Sequence, residues 1–77
     1  LAPRIVRVFF SEDVTASPEL PPGHQLTEKT PRLWQFTVAG PLGPLFALIE
    51  GLPVMDMELD EARLEDVVLK YYREEAS

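Results

Sequence analysis

Asp56, Glu58 and Asp60 alternate along PVMDMELDE, with Glu61 adjoining, and a second acidic pair, Glu65 and Asp66, stands in ARLEDVVLKYYREE. Carboxylate oxygens are what calcium and magnesium take as ligands, and paired carboxylates are what general acid–base catalysis uses. Those ions want ligands converging from a loop, however, and the glycine and spacing of a calcium loop are absent. His24 is the only histidine and follows Pro22-Gly23. It has no serine or cysteine nucleophile motif beside it and no second histidine to complete a metal pair, so it reads as a solvent-exposed turn residue. AGPLGPL, residues 39–45, sets two glycines before a helix but lacks the Lys and Ser/Thr of a phosphate-binding loop. Trp34 and Phe36 have the strand spacing of base-stacking aromatics, without the basic residues that such readers need.

Composition narrows the remaining classes. The 77 residues carry a net charge of −6, which argues against nucleic acid, because phosphate binding needs clustered Lys and Arg. It also disfavours anionic membrane surfaces. No cysteine is present, so disulfides and thiolate zinc sites are excluded. No apolar run reaches the roughly 18 residues of a membrane span, and no signal peptide is evident. Residues 1–38 hold four basic and four acidic side chains, whereas 39–77 hold three and nine. The excess therefore lies in the second half, as solvated strand and helix faces. The length suits a single small domain. Its first residue, Leu1, and the lack of a targeting signal lead us to expect a piece of a longer protein.

The elements that would position these groups follow from periodicity. RIVRVFF, 4–10, is an inner strand with Val6, Val8 and Phe10 on one side and Ile5, Arg7 and Phe9 on the other. SEDVTASPELPPG, 11–23, is proline-rich and reads as a surface loop with at most one helical turn. Residues 24–40 form two strands joined around Thr30-Pro31, with Trp34, Phe36 and Val38 on one face and a polar first strand at a sheet edge. Leu42, Leu45, Phe46, Ile49 and Leu52 recur at helical spacing, predicting a helix over roughly 41–51. Alternation then returns, with Met55, Met57 and Leu59 inward and the three acids toward water.

The final stretch predicts a helix. Leu64, Val67, Val68 and Tyr71 follow i, i+3, i+4, i+7. Glu65 and Asp66 then lie near the positive end of the helix dipole, and Lys70 and Arg73 near the negative end, each placement contributing about 0.3–1 kcal/mol. Helix stability thus accounts for the acidic pair without catalysis. Adjacent Tyr71 and Tyr72 cannot both face one core, which makes Tyr72 a candidate partner contact. The expected fold is α+β, a ferredoxin-like β-β-β-α-β-α with the first crossover helix replaced by the proline-rich loop and an antiparallel sheet ordered 4-1-3-2.

ALIEGLPVMDMELDEARLEDVVLKYY, residues 47–72, resembles the small C-terminal domain, of unknown function, that follows the nucleotide-binding domain in ATP-binding subunits of ABC transporters of the ABC-2 exporter type. Leu64, Glu65, Asp66, Val67 and Leu69 match the family motif, close to L-E-D-V-F-L, and Val68 replaces its usual Phe. Arg63 stands where a helix-capping residue is common, so the cap is expected from Asp60. The resemblance covers about the last thirty residues well and the earlier ones weakly.

The resemblance implies a cytoplasmic, non-catalytic accessory or regulatory domain spanning 1–77. ATP and Mg would bind in the missing nucleotide-binding domain, and no cofactor, metal or catalytic residue is expected here. Implied partners are that domain, its twin in the ATPase dimer and, through the parent protein, a membrane permease, with no direct membrane insertion and no nucleic acid. Two alternatives are a ferredoxin-like small-molecule regulatory domain of the amino-acid-sensing type and a minor enzyme or isomerase. The first calls for an apolar pocket with convergent polar groups, the second for a perturbed carboxylate in a cleft.

Overall fold

The computed structural model describes residues 3–61. Four strands and one helix follow in the order β1 Arg4–Phe10, β2 His24–Thr30, β3 Leu33–Val38, α1 Gly43–Ile49 and β4 Val54–Glu61. The strands form a four-stranded antiparallel sheet ordered β2-β3-β1-β4, the arrangement expected from the sequence. It is consistent with a ferredoxin-like topology lacking one helix. β1 runs antiparallel to both neighbours, so β3 and β4 are parallel to each other and α1 makes the crossover between them. The other crossover, β1 to β2, is the proline-rich loop, which contains no helix.

One face of the sheet is packed. Val6, Val8, Phe10, Trp34, Phe36 and Val38 are almost wholly buried, joined by Leu45 and Ile49 of α1 and by Val14 of the loop. Trp34 meets Phe10 edge-on, with ring centroids 5.0 Å apart, and Phe36 at 6.1 Å, geometries that add to plain area burial. Val14 substitutes for part of the missing helix. Its N–H donates to Pro31 O at 2.8 Å, and Arg32 holds Asp13 at 2.7 Å and Ser11 O at 2.9 Å. The start of the loop is thus tied to the β2–β3 turn.

Three expectations need correction. The helix is shorter than 41–51: Leu42 is its N-cap and Pro44 lies in its first turn, while Glu50 turns extended and Gly51 follows at φ +85°. Leu45 and Ile49 point inward but Phe46 is half exposed. In β4, Phe9 pairs with Asp56 and Phe10 with Val54, so Met55 is the extra residue of a bulge and is 67% exposed rather than inward. The inward set is therefore Val54, Met57 and Leu59, of which Leu59 remains 54% exposed. Leu64, Glu65, Asp66, Val67, Leu69 and Tyr72 lie outside the described residues.

Candidate functional site

Partners directly opposite in an antiparallel sheet share a face, so the register gives the open side as a grid. Asp60, Ile5, Thr37 and Gln25 form one row. Glu58, Arg7, Gln35 and Glu28 form the next, and Asp56, Phe9, Leu33 and Thr30 the third. Asp56, Glu58 and Asp60 thus fall on a single side, as their alternation implies, whereas Glu61 stands opposite Arg4 in the other parity.

Arg7 organises this row. Its guanidinium donates to Asp60 Oδ2 at 3.1 Å and lies 3.9 Å from Glu58. Asp60 is thus paired with Arg7 within β4; the helix it was expected to cap lies outside the described residues. Asp56 accepts the N–H of Met57 at 2.8 Å. All three carboxylates are exposed. An extended strand spaces side chains on one face roughly 6.6–6.8 Å apart, and a cation sits among them. That geometry keeps the acids hydrated and partly paired, without closing an oxygen cage.

His24 is buried, at 7% exposure, not the exposed turn residue anticipated. Gly23 sets it. With φ +79°, Gly23 takes a conformation closed to most residues, and a Cβ there would lie 2.5 Å from Ala39 O. Ala39 N–H donates to Gly23 O at 2.8 Å, closing β2 onto the end of β3. The ring Nδ1 donates to Pro22 O at 3.0 Å, since a carbonyl can only accept. Nε2 has no partner among the described residues. Strand parity was the available signal, because His24 lies two residues before Leu26 and so shares its inward side.

A cavity of about 300 Å³ is lined by Gly23, His24, Gln25, Thr37 and Ala39. Gln25 and Thr37 belong to the open face, whereas His24 pairs with Val38 on the packed one. Among the described residues, the lining offers beside the imidazole one amide and one hydroxyl, without a carboxylate to orient the ring. Among the described residues, no group of three or more His, Cys, Asp or Glu side chains is placed to hold a metal ion. Also among them, no helix is long and apolar enough to cross a membrane. Comparisons with protein-family models, curated proteins and solved structures returned no match.

Proposed function

We propose that this chain is a non-catalytic accessory domain of an ABC-2-type exporter's ATP-binding subunit, cytoplasmic and joined to the transporter through its nucleotide-binding domain. The observation that carries the reading is the order of elements. A short helix ends at Gly51, an alternating strand runs Val54–Glu61, and Leu64, Glu65, Asp66, Val67 and Leu69 follow at once. The chemistry of export would reside in the partner domain, which supplies ATP and Mg sites, and this domain would offer contact surface to it, to its twin in the ATPase dimer or to the permease complex. An amino-acid-sensing role gains no support from the His24 cavity, whose lining among the described residues includes only Ala39 as an apolar side chain.

Reading the coding sequence upstream of Leu1 tests the proposal. A continuous frame encoding a GxxxxGK[ST] loop within a nucleotide-binding domain supports it; a frame encoding an unrelated domain overturns it. In the parent protein, Tyr72→Ala is expected to weaken subunit association or transport-coupled ATPase activity. Unchanged values for both would remove Tyr72 from the contact surface.

A further inference from the structure

β4 ends the sheet, with β1 its single neighbour among the described strands. In an antiparallel pair, alternate N–H and C=O groups of an edge strand point away from the sheet and are free to pair with another chain. β4 also carries exposed apolar surface. Val54, Met55 and Leu59 are 36%, 67% and 54% exposed, and Leu59 lies opposite the buried Val6, so the described residues leave the packed side of the sheet uncovered at this edge. On the other side Asp56, Glu58 and Asp60 form a row of one sign, offset among the described residues by Arg7 alone.

We infer that the free edge of β4 is a docking site for an extended segment of another protein, in which basic and apolar residues alternate. Added as a fifth strand, such a segment pairs its backbone with β4. Its Lys or Arg residues lie beside Asp56, Glu58 and Asp60, and its apolar residues continue the layer of Met57 and Leu59. The other occupants fit less well. Two copies joined antiparallel through β4, with their packed faces continuous, would set Asp56 opposite Glu58 around Met57, and like charges directly opposite are destabilising. The chain's own residues 62–77 carry Arg63, Lys70 and Arg73 against Glu65, Asp66, Glu74 and Glu75, and their apolar residues recur at helical spacing. The inference stands on β4 alone and does not depend on the transporter reading.

The test is an amide-resolved NMR titration of the full chain with three peptides. One alternates valine and lysine, the second carries glutamate for lysine, and the third is the lysine peptide N-methylated at alternate residues along one edge. Shifts confined to β4 and adjoining β1 amides, with about tenfold or greater preference for lysine over glutamate, are expected because like-charge juxtaposition is costly. The N-methylated peptide should lose binding, and Asp56→Lys, at a position not paired with Arg7, should narrow the preference. Equal binding of the first two peptides, shifts on the open face instead of the edge, or no β4 shifts at millimolar peptide would each overturn the inference. So would dimerisation through β4, or β4 amides already protected throughout without peptide, which would assign the edge to a second copy or to residues 62–77.

Discussion

β1 and β4 lie side by side and carry the same kind of pattern, yet their inward residues have different fates. Val6, Val8 and Phe10 are 1% exposed or less, whereas their counterparts Leu59, Met57 and Val54 range from half-buried to more than half exposed. Alternation chooses the face a side chain takes. Coverage depends on position, because among the described strands β1 has a neighbour on each side and β4 has one. The centre of the sheet therefore holds the fold together, and its β4 edge is left to interact.

That contrast is breakable by substitution. Trp34→Ala should cost the most, about 3–5 kcal/mol, since it empties a large volume among fully buried neighbours; chemical denaturation would measure it. A loss under 1 kcal/mol would mean that the centre is loosely packed. Gly23→Ala should follow at about 1–3 kcal/mol, from a strained left-handed backbone together with the approach to Ala39 O. Its signature is loss of exchange protection at Ala39 N–H.

At the edge the effects shrink. Asp60→Asn removes the charge of Arg7's closer partner, and an exposed ion pair of this kind contributes about 0.2–1 kcal/mol. The difference from wild type should fade as salt is raised. Leu59→Ser should shift stability by no more than about 0.5 kcal/mol, the range for surface positions. A loss of several kcal/mol there would show Leu59 to be a core residue, and the distinction between centre and edge would fail.

Much of this was legible in the sequence. The inward triplets of β1 and β3 follow from alternation, and the polar residues of 24–30 and 54–60 place those strands at the edges. What escaped depends on pairing across the sheet. Nothing in VMDME marks Met55 as the extra residue of a bulge, because the shift arises where Phe9 and Phe10 meet Asp56 and Val54. A second bulge at Thr27 has the same origin, between Leu26 opposite Phe36 and Glu28 opposite Gln35. Val14 lay hidden in a loop that its own composition describes as surface, and it is drawn inward by the bond to Pro31.

The acidic row shows the same limit from the side of function. Its alternation gave the correct face, but the sharing of Arg7 between Glu58 and Asp60 becomes visible only once β1 and β4 are in register. At His24 strand parity prevails over the proline and glycine before it, which by composition alone mark an exposed turn. Its burial makes it part of the β2–β3 closure.

Hydrogen exchange along β4, read amide by amide in the full chain, tests most directly whether this strand is an open edge. The account predicts an alternating pattern, with the amides bonded to β1 protected and the outward ones exchanging fast, except Met57, whose N–H is held by Asp56, while β1 is protected on both sides. Uniform protection across Val54–Glu61 would contradict it.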